Sequence, residues 1–177
     1  MKILLHTCCG PCSIYPVDQL RADGHDVMGF FFRHNIHPLQ ECLRREETLR
    51  NYALNIGLKM IWQEGYELEE FLRAVAYREN NRCAYCYHAR LTACAKLAKH
   101  GKFQAFSSTL LYSKFQKHEL IREIGEAVGK QEGVPFYYAD WRLGWQDGVG
   151  RSKALEMYRQ QYCGCIFSEK ERFFACL

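Results

Sequence analysis

Apolar residues along this chain fall into short, nearly unbroken runs, separated by longer stretches in which they recur every three or four positions. The runs cover residues 2–5, 27–32, 58–62, 103–108 and 135–139. Runs this short, apolar on both sides of the chain, predict strands covered on both faces. The intervening spacing predicts helices over 13–22, 40–56, 67–76, 85–100, 116–130 and 152–161. Asp23-Gly24, Gly57 and Gly101 stop three of them, and Lys96, Lys99 and His100 fill the last turns of the 85–100 helix, as a helix carboxyl end favours. Strands alternating with helices imply βαβ units, hence an α/β three-layer sandwich with a parallel five-stranded sheet, Rossmann-like in type. Such a sheet takes its ligands beyond the carboxyl ends of the strands. There the chain carries HTCCGPC, RHNIHP, SSTLLYSKFQKH and DWRLGWQDG, after the first, second, fourth and fifth strands. Topology alone gathers these segments on one rim.

Composition then narrows the class. At 177 residues with 48% hydrophobic and 14% aromatic content, the chain suits one packed domain over 1–177, and no repeat or linker divides it. A net charge of +4 permits a nucleic-acid partner without requiring one. No apolar run approaches the roughly 20 residues that span a bilayer, and the amino-terminal run is too short for a signal peptide. A cytoplasmic location is expected. Ten cysteines are then anomalous, because a reducing compartment favours metal or redox chemistry over a disulfide framework. Cys42, Cys94 and Cys176 stand alone and read as small buried apolar residues. The other seven come in tight groups: CCGPC, CAYC and CGC.

Cys83 and Cys86, in CAYC, fall at the entrance to a helix, where backbone amides favour the thiolate that a metal needs. Together with Cys8-Cys9 and CGC they offer enough thiolates to set four around one centre, as tetrahedral zinc or an iron–sulfur cluster requires. The pattern lacks the knuckles of a zinc ribbon, which tilts it to iron–sulfur. Cys163 and Cys165, in CGC, would close a very small and easily reduced ring as a disulfide, or would supply sulfur ligands to a metal. Where nucleotide-binding α/β proteins carry a phosphate loop after the first strand, this chain carries thiols, and no GxGxxG fingerprint is present. Neither bound ATP nor a bound nicotinamide is expected.

LLHTCCGPCS, NIHP, RCAYCYHARL, SSTLLYSKFQKH and YRQQYCGCIFS, in that order and essentially end to end, resemble the cobalamin-independent epoxyqueuosine reductase family. The resemblance implies a HUP-like fold related to the PP-loop tRNA-modifying enzymes. It implies two-electron reduction of epoxyqueuosine to queuosine at the tRNA wobble position, the last step of that modification, and a [4Fe–4S] cluster. By position, Cys8, Cys9, Cys83 and Cys86 match the cluster ligands and Cys163 and Cys165 the redox-active pair. A second view of the family adds one iron or zinc ion, held here by Cys12 together with Cys165 and Cys8 or Cys9. Many relatives carry an acidic residue where this chain has Cys12, so the softer sulfur would shift metal preference toward zinc or ferrous iron.

Epoxide deoxygenation needs two electrons from an external donor and a proton for the departing oxygen. Candidates at strand ends for the proton are His6, His34, His37, Tyr112 and Asp140, each with an alternative role in capping or loop order. Lys114, Lys117, His118, Arg142, Arg151 and Lys153 are placed to meet tRNA phosphates. Phe32, Tyr112, Trp141 and Trp145 are placed to stack on a base, and Trp62 reads as core. Arg44-Arg45 and the lysines 96, 99 and 102 read as solvated helix faces. Two other functions fit less well: a cluster-dependent tRNA thiolase, which lacks its ATP loop here, and a zinc-stabilised RNA-binding module, which has no use for CGC.

Overall fold

The computed structural model describes residues 1–174; Cys176 lies outside them. Four strands, β1 (Lys2–Thr7), β2 (Asp26–Phe31), β3 (Met60–Trp62) and β4 (Ala105–Ser108), form a parallel sheet in the order β3-β2-β1-β4. Ile3, Leu4, Leu5, Phe30, Phe31 and Phe106 are fully buried, as strands covered on both faces require. Seven helices among the described residues flank the sheet: α1 (Gly10–Ala22), α2 (Leu39–Asn55), α3 (Leu68–Val75), α4 (Arg82–His100), α5 (His118–Glu132), α6 (Trp145–Ala154) and α7 (Ile166–Phe174). The chain steps outward from β1 to β2 to β3 and then returns to place β4 on the other side of β1. With right-handed crossovers this puts α1 and α2 on one face and α4 on the other. It also opens a crevice between the carboxyl ends of β1 and β4, the usual ligand position in such sheets.

The sheet has four strands rather than the five predicted. Residues 135–139 run beside β4 but make one isolated bridge, Phe106 to Phe136, with two backbone bonds at 3.0 and 2.8 Å. A ladder stops there for two reasons. Pro135 has no N–H to give, and the Tyr137 carbonyl is taken by the Ser107 hydroxyl at 2.7 Å.

Local chemistry moved several helix ends. α1 starts at Gly10, three residues early, because Pro11 sits in the first turn, where a missing N–H costs nothing, and the Cys9 sulfur caps it. α4 starts at Arg82, so CAYC is its first turn. α6 begins at Trp145 and stops before Glu156, whose φ of +48° breaks the helix. Residues 155–165 therefore form an irregular strap instead of a helix. α7 was not expected. Its start is tied by Ser168, whose hydroxyl accepts from the Gly164 N–H and donates to the Cys165 carbonyl.

Candidate metal and redox centre

The turn after β1 presents Cys8, Cys9 and Cys12, all buried, with their sulfurs within 4.8 Å of one another. Cys8 Sγ and Cys9 Sγ are 3.9 Å apart. Four sulfurs around a tetrahedral ion at bonds of about 2.3 Å stand roughly 3.8 Å from each other, so this trio fits a single thiophilic ion with little movement. The turn after β4 supplies a support: the Thr109 hydroxyl accepts from the Cys8 N–H at 3.1 Å and donates to Cys8 Sγ at 3.4 Å. Hydrogen bonds from the Cys12 and Cys9 thiols, helped by Thr109, hold Cys8 well below the usual thiol range. Cys12 is pushed up by its hydrogen bond to Cys8, and Cys9 is pushed up by burial.

A second sulfur group adjoins the first. Cys83, Cys86, Cys163 and Cys165 line a small cavity of about 20 Å³, and Cys8 of the trio lines it too. The donor chemistry suits a metal–sulfur group, since five cysteines and no carboxylate line the cavity, although among the described residues only the Cys8, Cys9, Cys12 sulfurs gather within 4.8 Å. The space admits about one water-sized atom, so seating anything larger requires its walls to move apart. All nine described cysteines are free thiols, Cys163 and Cys165 included. Cys42 and Cys94 are fully buried in the core, as expected of lone cysteines.

On its open side the trio borders a pocket of about 550 Å³, a size ordinary for small-ligand sites. Cys8, Cys12 and Cys163 contribute to its wall, with Tyr112, Trp145 and Phe115 as aromatic surfaces. Cys163 is exposed into this lumen, yet desolvation by the surrounding protein pushes its thiol up to about 12. Two amides reach the sulfurs: Gln116 Nε2 donates to Cys163 Sγ at 3.2 Å and Gln160 Nε2 to Cys12 Sγ at 3.5 Å.

The strap is fastened from α2. Arg45, 1% exposed, donates to the carbonyls of Cys163 (2.8 Å) and Tyr162 (2.9 Å) and to Glu41 (2.7 Å), which also accepts from the Tyr158 hydroxyl. The His37 N–H adds a bond to the Gly164 carbonyl at 2.7 Å. Gly164, at φ +155°, occupies a conformation other residues resist. Arg45 is therefore no solvated surface residue, and the Arg44-Arg45 reading is corrected for it.

The sequence-based candidates separate in the structure. Cys12 joins Cys8 and Cys9, whereas Cys165 lines the smaller cavity with Cys83 and Cys86 and not the larger pocket that Cys12 borders. His6 is fully buried, its Nδ1 2.8 Å from Ser108 Oγ and its Nε2 3.3 Å from Arg90, and it lines neither cavity. Burial, then the neighbouring Arg90, lowers its pKa to about 3. Tyr112 lines the pocket, but its hydroxyl donates to the Trp145 carbonyl at 3.1 Å. His34 and His37 order loops: His34 accepts from the Glu67 N–H, and His37 bonds the His34 carbonyl while accepting from the Ile166 N–H. Asp140 caps a short 3-10 turn and pairs with Arg142. Lys114 and Lys117 are exposed beside the pocket residues Phe115 and Gln116. Arg151 is paired with Asp18 and Asp147. Trp141 is 4% exposed and packs in the core, so no base reaches it here, whereas Trp145 does line the pocket. Sequence reasoning missed Arg90, Gln116 and Gln160. Of these, Arg90 carried a signal, standing four residues after Cys86 on one helix face.

A sequence profile described as epoxyqueuosine reductase QueH matches residues 3–171. An epoxyqueuosine reductase QueH of Dehalococcoides mccartyi is 37% identical over 172 residues, covering 97% of this chain and 94% of that protein. Proteins of the same name from Thermotoga maritima and Histophilus somni are 33% and 32% identical, each covering 96% of this chain, with 91% and 73% of their own lengths covered. Among solved structures, one described as a predicted tRNA methyltransferase subunit from Methanocaldococcus jannaschii aligns with a TM-score of 0.60. That alignment covers 85% of this chain and 74% of that one at 9% identity, and so speaks for the α/β fold alone.

Proposed function

The chain belongs to the epoxyqueuosine reductase QueH family, an oxidoreductase family that reduces epoxyqueuosine to queuosine, and we propose that it works through the two adjoining sulfur groups. The observation that carries this reading is the buried Cys8, Cys9, Cys12 trio opening onto a ligand-sized pocket that also reaches Cys163. The trio suits a single ion, iron or zinc. With the ion on Cys12 and one of Cys8 and Cys9, the other of that pair joins Cys83 and Cys86 as donors proposed for a [4Fe–4S] cluster, and Cys163 and Cys165 would complete these sets or act as a switchable dithiol. When bound, such a metal–sulfur group supplies electrons and a Lewis acid to the epoxide oxygen.

The protein's own residues do the rest. The tRNA base enters the pocket, where the rings of Tyr112, Trp145 and Phe115 take its face. Gln116 and Gln160 fix the sulfurs that border it. Lys114 and Lys117 meet phosphates at the mouth, and an external donor, reached without ATP, replenishes the electrons. Membership in this family favours neither the thiolase nor the RNA-binding module.

Anaerobic purification with iron, zinc and acid-labile sulfide analysis, followed by single turnover on tRNA carrying epoxyqueuosine, tests the reading. About four sulfides per chain, with iron in excess of sulfide and queuosine formed, is the expected result. Cys12→Ser should lose the excess metal while keeping the sulfide. A colourless protein holding zinc alone and producing no queuosine would overturn the proposal.

A further inference from the structure

Arg90 lies on the inner face of α4, 3% exposed. Its three contacts are Cys86 Sγ from Nε at 3.2 Å, His6 Nε2 from Nη1 at 3.3 Å and the Asn35 carbonyl from Nη2 at 3.0 Å. No carboxylate pairs with it among the described residues. The other deeply buried arginine, Arg45, has Glu41 at 2.7 Å. A guanidinium cannot shed its proton, and a buried cation without a counter-charge is strongly unfavourable. The groups that could carry that charge beside Arg90 are sulfurs: Cys86 within hydrogen-bond reach, and Cys163 and Cys8 on the same small cavity. Its counter-charge therefore has to be sulfur-borne.

The side chain is also held from behind. Arg90 can only donate, so His6 Nε2 must accept, and the imidazole proton sits on Nδ1, directed at Ser108 Oγ. Ser108 Oγ accepts in turn from the Leu110 N–H at 3.1 Å. A neutral histidine anchored to β4 thus aims the guanidinium at Cys86. We infer that Arg90 is a positioning residue that neutralises the sulfur-held centre at Cys86 and raises its reduction potential, with His6 and Ser108 fixing its aim. The inference rests on the reading that Cys86 is a donor to that centre. A fixed positive charge within hydrogen-bond reach of a donor sulfur stabilises the more negative, reduced state. His6 thereby acquires a role that does not require it to touch substrate.

The test is a spectroscopic redox titration of anaerobically purified protein, as wild type, Arg90→Lys and Arg90→Gln, with circular dichroism confirming the fold of each. Loss of the charge in Arg90→Gln should lower the reduced-to-oxidised ratio at a fixed potential at least tenfold, about 59 mV for one electron. Arg90→Lys keeps the charge and should stay within threefold of wild type. Equal potentials in Arg90→Gln and wild type, or equal shifts in the Gln and Lys variants, overturn the inference. If Arg90→Gln does not fold, the uncharged Arg90→Met is read against Arg90→Lys by the same criterion. A folded Gln variant that holds no iron beside a loaded Lys variant supports it; loss of iron from both folded variants overturns it. Cys86→Ser separates the two layers. If that variant keeps its full iron and sulfide, the donor assignment fails, whatever Arg90 does.

Discussion

Tyr112 illustrates what a single residue's position does and does not reveal. It follows β4 at the rim, which made it a candidate proton donor, and its ring does line the pocket. Its hydroxyl, however, is committed to the Trp145 carbonyl, and burial pushes its pKa above the usual tyrosine range. Gly148 leaves room for that hydroxyl, since a Cβ there would lie 2.2 Å from it. We expect Tyr112→Phe to lower turnover by no more than about threefold and stability by about 1 kcal/mol, the value of one hydrogen bond. Single-turnover rates and urea titration check both, and a thousandfold loss in rate would make the hydroxyl the proton donor after all. Spacing located Tyr112 and His6 at the right edge of the sheet. It could not show which way a hydroxyl or a ring nitrogen points, because partners distant in sequence, such as Ser108 for His6 and Trp145 for Tyr112, set that. Arg45 was misread for a related reason. Its partners, the carbonyls of residues 162 and 163, are more than a hundred positions away and leave no local mark, although Glu41 at i−4 was a hint.

Among elements, the 155–165 strap matters most. It carries Cys163 and Cys165 but has little regular structure of its own, so its placement depends on α2. Arg45→Ala would leave Glu41 buried without its ion partner and free two strap carbonyls. A stability loss of about 3 kcal/mol is expected, as for breaking a buried pair from one side. Urea denaturation measures it, and a change under 1 kcal/mol would mean that the strap is held elsewhere. The helical reading of 152–161 failed here because periodicity cannot register the left-handed turn at Glu156. α7 escaped notice because it is short and has no fully buried face, so its apolar positions do not stand out. The four central strands were legible as apolar runs, since double coverage demands them. The fifth was over-read because residues 135–139 have strand-like composition, but a proline and a diverted carbonyl prevent a ladder.

At the scale of the whole molecule, the order β3-β2-β1-β4 converts separate motifs into one centre. The convergence of segments at the strand ends was readable from alternation alone; the division of sulfurs into two adjoining groups was not, because it depends on where the strap returns. The same scale governs tRNA attraction. Arg142 and Arg151 spend their charge on Asp140, Asp18 and Asp147, whereas Lys114 and Lys117 stand exposed near the pocket. Removing either lysine should reduce the slope of log affinity against log salt by about 0.7 to 0.9, and removing Arg142 or Arg151 should change it by less than half that. Filter binding of tRNA across a salt series distinguishes them, and a larger effect from the paired arginines would reverse the assignment.

Cys8, Leu110 and Cys163 belong to both cavities, so one thin wall separates the sulfurs within from the pocket without. If the tRNA base enters by this pocket, dissolved oxygen and peroxide would reach the exposed Cys163 by the same route. An occupied pocket is therefore a stoppered one. On that reading the vulnerable enzyme is the idle one, and a plentiful supply of tRNA would protect it as well as feed it.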